Sequence, residues 1–245
     1  MKTKPILPPT WEIPQIFRDR MGEDYGRQRI MHHDGHLLII LHRPSGPEKN
    51  TRDGRLFWRK PDGLWTSTEK GGIHALQQHL DEFEDSIIEC EEAEEKATVP
   101  SEYFELIERL SPLKRTTTNM YQVLQDGRKA VPEDRTLILI RDRAYQLSRT
   151  SNLGYDAAKN GLDFSMAKSA EKNAESTLRM SIAAHRLNLL ASFFFPLATV
   201  ASVMGMGILT IPEELSLMIF VLIILAGLSI GGILTIFISS KSKQH

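Results

Sequence analysis

The apolar residues of this chain are concentrated at its C-terminal end in two long runs, Leu187–Ile211 and Leu215–Ile238, parted only by Pro212-Glu213-Glu214. Neither run contains Asp, Glu, Lys, Arg or His. A helix packed in water keeps one polar face, and these runs have none. Each exceeds the ~20 residues that carry a helix across a ~30 Å hydrocarbon layer. The pattern therefore predicts a two-helix transmembrane hairpin over 187–238, with a turn too short to hold a domain.

Upstream the periodicity changes twice. Pro14–Met21 reads as a short helix stopped by Gly22. From about 25 to 70, apolar-rich arms alternate with turn signals. Asp34-Gly35 sits within HHDGHLLIILHR, and Pro61-Asp62-Gly63 separates Arg55–Lys60 from Leu64–Glu69. Both are hairpin chemistry, so the segment predicts a small, mostly antiparallel sheet with Trp58 and Trp65 in its core. Beyond it the period lengthens to that of helices. Gly72–Thr98 carries Ile73, Leu76, Leu80, Phe83, Ile87 and Ile88 as a buried stripe. A second helix starts at Pro100-Ser101 with Ser101 as candidate N-cap and runs to about Lys129, with Ser111-Pro112 marking a kink or a break. A third starts at Pro132, and no further proline follows from Glu133 until Pro196. Its stripe is Leu137, Ile140, Ala144, Leu147, Ala158, Leu162, Ala167, Ala174 and Leu178, weakened at Gly154 and Gly161. One helix from Pro132 to Gly207 would measure roughly 110 Å at ~1.5 Å per residue. Such a rod needs neighbouring rods, and its Ala-rich stripe suits close packing of parallel helices, so an oligomer is expected.

The fold expected is an α+β cytoplasmic domain followed by a long stalk helix and a two-helix transmembrane hairpin. Its parts are an N-terminal arm over 1–24, the α/β domain over 25–131, the stalk over 132–186, the hairpin over 187–238 and a basic tail over 239–245. Lys168, Lys172, Arg179 and Arg186 precede the first span, Lys241 and Lys243 follow the second, and the turn carries no Lys or Arg. The positive-inside rule then puts both termini in the cytoplasm and Glu213 and Glu214 outside.

Composition narrows the function classes. With 30 basic and 31 acidic residues the net charge is -1, which gives no bias toward nucleic acid. A single cysteine, Cys90, excludes an internal disulfide and fits a reducing compartment. The start, MKTKPILPPT, has no apolar h-region, so only the hairpin directs the chain to a membrane. His32, His33, His36 and His42 crowd the first hairpin, and imidazole is a common zinc ligand. Their spacing fits no zinc signature, and alternation sends some to opposite faces. They stay weak metal candidates, chiefly His32, His33 and His36, against surface histidines. His74 and His79 do not share a helix face. The acids of the first long helix, from Asp81 to Glu95, read either as a solvated face or as a reservoir that concentrates cations. No phosphate loop, H-E-x-x-H or nucleophile elbow is present, so no enzyme, catalytic residue or cofactor is expected.

Leu187-Asn188-Leu189-Leu190-Ala191-Ser192-Phe193-Phe194-Phe195-Pro196-Leu197, then Gly205-Met206-Gly207, Ile211-Pro212-Glu213, a second span and a basic tail resemble the pore helices of CorA-type divalent-cation channels. That family ends its first span with Gly-Met-Asn, and Gly207 stands at the place of the Asn. The resemblance implies a homo-oligomer, five subunits around a pore lined by the first span, and the minimal two-span architecture suggests the cell (inner) membrane. It places Ala184, Leu187, Ala191, Phe195, Ala198, Ser202 and Gly207 on the pore face, at helical spacings. Ala191, Ala198, Ala201, Ser202 and Gly205 also read as helix-packing positions, and Gly227 with Gly231 forms a small-xxx-small packing pair. Leu187 and Phe195 are candidate gates, since rings of bulky apolar groups stop ions by dewetting. Glu213 and Glu214 would ring the outer entrance. In the family the Asn amide meets a hydrated magnesium ion, which dehydrates reluctantly. Gly207 offers only its carbonyl and a wider aperture.

The function expected is a CorA-like oligomeric channel passing metal cations passively, with Mg2+ as the ion implied by resemblance. The rivals are a membrane-anchored scaffold or sensor, or a signal-gated effector pore without constitutive conduction. The all-apolar pore face and the missing Asn motivate both. The expected partners are copies of this chain and the lipid bilayer.

Overall fold

The computed structural model describes residues 6–44 and 53–205, and within the second apolar run residues 218, 221–222, 224–227, 229 and 231–233. Its order is α1 (Gln15–Asp19), β1 (Arg29–His33), β2 (His36–His42), β3 (Gly54–Arg59), β4 (Trp65–Ser67), α2 (Ile73–Lys96), α3 (Pro100–Ala130) and α4 (Arg135–Gly205). The chain divides into two compact units, Met1–Lys168 and Ser169–His245.

In the first unit the four strands form an antiparallel sheet in the order β1-β2-β3-β4. The β1–β2 turn works as its sequence requires: Asp34 and Gly35 take φ of 46° and 75°, the left-handed values of a two-residue hairpin loop. β2 is buried along Leu37–Leu41 because both sheet faces are covered. Leu37, Ile39 and Leu41 join Phe57 and the apolar stripes of α2, α3 and α4 in the main core. Leu38 and Ile40 join Met31, Leu56 and Trp58 in a second core on the opposite face.

That second core is completed by Leu7, Trp11, Ile13 and Phe17. The segment expected as an N-terminal arm over 1–24 thus packs on the sheet from Leu7 onward. Trp11 stacks on Trp58 with ring centroids 5.6 Å apart. The aromatic residues of this proline-rich segment fix it to the sheet.

Three helix boundaries move for local reasons. The N-cap of α3 is Val99, and Pro100 takes the first turn, where its missing N–H costs nothing. Glu102 reaches back to accept from the backbone N–H of Thr98 and Val99 at 2.7 and 3.2 Å, which holds its carboxyl below the usual range. Ser101, the expected cap, is inside the helix. α3 also continues through Pro112, where a kink or a break was expected; the buried Leu110, Leu113, Thr116 and Thr117 hold the turns on either side. α4 begins at Arg135 instead of Pro132, because Asp134 caps it. The Asp134 carboxylate accepts from the N–H of Thr136 and Leu137 and lies 2.5 Å from Arg59 on β3.

Two glycines of α4 differ in what surrounds them. A methyl at Gly154 would touch Leu110 at an ordinary 3.7 Å, beside a small void of about 190 Å³. At Gly161 a Cβ would fall 2.4 Å from the Tyr103 ring, which its hydroxyl anchors to the Ala97 carbonyl at 2.8 Å. Gly154→Ala is therefore expected to stabilise by about 1 kcal/mol through helix propensity. Gly161→Ala is expected to destabilise by about 1–3 kcal/mol through overpacking. Denaturant unfolding of the two variants tests the opposite signs.

In the second unit α4 supplies residues from Ser169 to Gly205. Among the described residues no helix is long and apolar enough to cross a membrane. The first apolar run is described only as far as Gly205, and the turn at 212–214 and the basic tail lie outside the described residues. Every described residue from 218 to 233 is helical.

Candidate functional site

The face on which the sequence places a pore belongs to the second unit. At ~100° per residue, Ala184, Leu187, Ala191, Phe195, Ala198 and Ser202 fall within an arc of about 80°. Leu187 and Phe195 are 66% and 72% exposed. Ala184, Ala198 and Ser202 are exposed and Ala191 is half-covered. Gly205 ends the described part of α4, and Met206, Gly207, Glu213 and Glu214 lie outside the described residues.

Something covers the other side of this helix. Gly227 and Gly231 are buried. A Cβ at Gly227 would meet Leu197 at 3.6 Å, and one at Gly231 would meet Phe193 at 3.2 Å. The partner number falls by four as the glycine number rises by four, so the two segments run antiparallel. Leu189, Phe193, Leu197 and Val200 form the half-covered side of α4. By the same helical arithmetic their mean direction is about 180° from the expected pore face. The small-xxx-small pair thus packs helix on helix, with backbones brought close where no side chain intervenes.

The contact predicts its own disruption. Gly231 already sits 3.4 Å, measured from a built Cβ, from the Phe193 carbonyl oxygen, which cannot rotate away. Gly231→Leu is expected to separate the two segments and lower the melting temperature of the protein in detergent. Gly227→Ala, with ordinary contact distance, is expected to leave it unchanged. Melting curves of the two variants in detergent distinguish them.

The histidines of the first hairpin are not gathered. His33 and His36 pair across the turn, while His32 pairs with Leu37 and points to the other face. His36 Nδ1 accepts from Trp58 Nε1 at 3.2 Å, and His33 lies 3.1 Å from Asp34. Among the described residues no three His, Cys, Asp or Glu side chains are grouped to hold a metal ion.

Part of the acidic face of α2 is neutralised inside the first unit. Arg143 of α4 sits between Asp81 and Glu84, and Arg109 of α3 reaches Glu89 at 3.2 Å. Those contacts give these acids a packing role beside solvation. Glu82 belongs to a buried group that the sequence does not reveal. Arg55, 5% exposed, makes two 2.8 Å bonds to the Glu82 carboxylate. Glu69 lies 3.0 Å from Arg55 Nε, within ion-pair distance though out of line for a hydrogen bond. Arg55 also donates to His79 Nδ1 at 3.0 Å, which puts the imidazole proton on Nε2. That buried Nε2–H has no hydrogen-bond partner among the described residues. Burial first, then the charges of Arg55, Arg43 and His42, lower the His79 pKa to about 3. The only sequence signal for this group was His79 on the apolar stripe of α2.

No protein-family model matches the chain, and no curated protein sequence matches it. Solved structures do. The cytoplasmic domain of ZntB from Vibrio parahaemolyticus RIMD 2210633 superposes with a TM-score of 0.52 at 12% identity, over 65% of this chain and 80% of that one. The full-length CmaX protein superposes with a TM-score of 0.50 at 11% identity, over 88% of this chain and 79% of that one. The fold, an α+β domain with a long helix, resembles that of the ZntB cytoplasmic domain and of CmaX.

Proposed function

We propose that this chain is a CorA-like oligomeric membrane channel that passes metal cations passively. The observation that carries the proposal is the disposition of the second unit. Helix-on-helix packing at Gly227 and Gly231 uses one side of α4 and leaves the Ala184–Ser202 face open. A face of alanines with Leu187 and Phe195 between them, exposed in a single chain, suits the wall of a pore completed by other copies. The two apolar runs cross the bilayer as the hairpin, with the first unit and both termini in the cytoplasm. The similarity of the fold to the ZntB cytoplasmic domain supports that side for the first unit. The oligomer is a pentamer, and Mg2+ is the first ion to test; the missing amide at Gly207 argues against high selectivity for it.

A second reading has its own support. Apart from Ser202 the open face carries no polar side chain, so it offers an ion little to replace its water. A scaffold, or a pore that opens only on a signal, fits that face as well.

Ion flux into proteoliposomes under matched gradients of Mg2+, Ni2+, Zn2+, K+ and Cl- decides between them. Selective divalent uptake supports the channel. Unselective flux supports a wide effector pore. No flux from protein shown to be assembled overturns constitutive conduction.

A further inference from the structure

A cavity of about 1210 Å³ opens in the first unit between the start of β1, the end of β2, α2 and α3. Gln28 ties these elements together. Its Nε2 donates to the Thr116 carbonyl at 3.1 Å, and its Oε1 accepts from the His42 N–H at 3.4 Å. Four of the charged side chains lining the cavity are bonded in place. Arg29 donates to the carbonyls of Tyr25 and Arg27, Arg43 pairs with Glu69, Glu82 holds Arg55, and Asp126 holds Lys129 at 2.9 Å.

Four charged side chains at this cavity have no ion pair or hydrogen bond among the described residues: Arg27, Arg115, Asp53 and Asp85. Arg27 and Arg115 are the chain neighbours of the bonded pair Gln28 and Thr116, and both line the cavity. Asp85 stands on α2. Further along the same pair of helices Arg109 and Glu89 meet at 3.2 Å, whereas Asp85 and Arg115 face a common space without pairing. An all-anionic ligand would satisfy the arginines and be repelled by the aspartates; an all-cationic one would meet the reverse.

We propose that this cavity binds a small zwitterionic ligand, with its anionic group on Arg27 and Arg115 and its ammonium group on Asp53 and Asp85. Asn119, on the same stretch of α3, supplies a neutral donor and acceptor to the linker between the charges. The site is independent of the pore reading.

Isothermal titration of the full-length protein in detergent with 4-aminobutyl phosphate, butyl phosphate and butylamine tests the proposal. The zwitterion is expected to bind about tenfold more tightly than either singly charged probe, because it alone gains both sets of charge-assisted bonds. Arg115→Ala and Asp85→Asn are each expected to weaken it about tenfold without lowering the melting temperature, since both side chains are exposed and unpaired. Butyl phosphate binding as tightly as the zwitterion, and indifferent to Asp85→Asn, would mean a simple anion site and overturn the proposal. No saturable binding of the zwitterion overturns it as well. If a variant loses its fold, the three probes on the unaltered protein still decide.

Discussion

Phe195→Ala is expected to raise ion leak through reconstituted protein about tenfold, the change that follows from lowering a barrier by about 1.4 kcal/mol. Phe195 is 72% exposed on the open face of α4, and no described residue of its own chain holds the ring. In a closed ring of copies five such side chains would meet and exclude water. Alanine would leave a wider aperture that stays wet. Leu187→Ala, one gate position nearer the first unit in sequence, is expected to act in the same direction with a smaller effect. The control is Leu197→Ala, on the side that packs against Gly227, which is expected to weaken assembly without adding leak. Equal leak from unaltered protein and Phe195→Ala, in vesicles of equal protein content, would remove Phe195 as a gate.

Glu82→Ala is expected to destabilise the first unit by about 3 kcal/mol, because it leaves the guanidinium of Arg55 buried with its bidentate partner gone. Glu69 remains at 3.0 Å but contacts only Nε. Glu82→Gln retains one acceptor and is expected to cost less. The same group sets a pH dependence whose sign follows from His79. Its folded pKa, about 3, lies below its ordinary 6.5. Above pH 6.5 both folded and unfolded chains hold it neutral, and its contribution is constant. As pH falls through 6.5 the unfolded chain takes up a proton that the folded chain refuses. Stability is therefore lost by about 1.4 kcal/mol per pH unit until the pH approaches 3. Denaturant midpoints of the unaltered protein and of His79→Gln between pH 7 and 4 isolate the effect. The variant keeps an acceptor for Arg55 and lacks the titration, so its curve is expected to be flatter. Parallel curves would show that other groups carry the acid sensitivity.

Much of this architecture follows from short-range rules. Asp34-Gly35 allows only a tight turn between apolar arms, so the first hairpin was legible, and the 3.6-residue period of α2 made its buried face legible too. The absence of proline from Glu133 to Pro196 marked a continuous helix. The pairing of Gly227 and Gly231 with a neighbouring helix was readable because a row of glycines has little other use on an apolar helix. Composition could not show what depends on contacts between distant segments. Trp11 and Phe17 look like isolated aromatics in a proline-rich arm until the second face of the sheet is seen to need covering. Ser101 is a better cap by type than Val99, yet Glu102, three residues on from Val99, decides where α3 starts. Pro112 disfavours a helix locally, and burial of α3 on both sides outweighs it.

Periodicity and length by themselves determined the order of elements and the two apolar runs. These features depend on residues close in sequence, where backbone geometry fixes who shares a face. Tertiary structure alone decided the buried Arg55–Glu82–His79 group, whose members come from β3 and α2, and the cavity that holds Arg27, Arg115, Asp53 and Asp85 in one space. A charged side chain reads as solvated until the fold shows what stands across from it, because the cost or gain of a charge is set by its surroundings and not by its position in the chain.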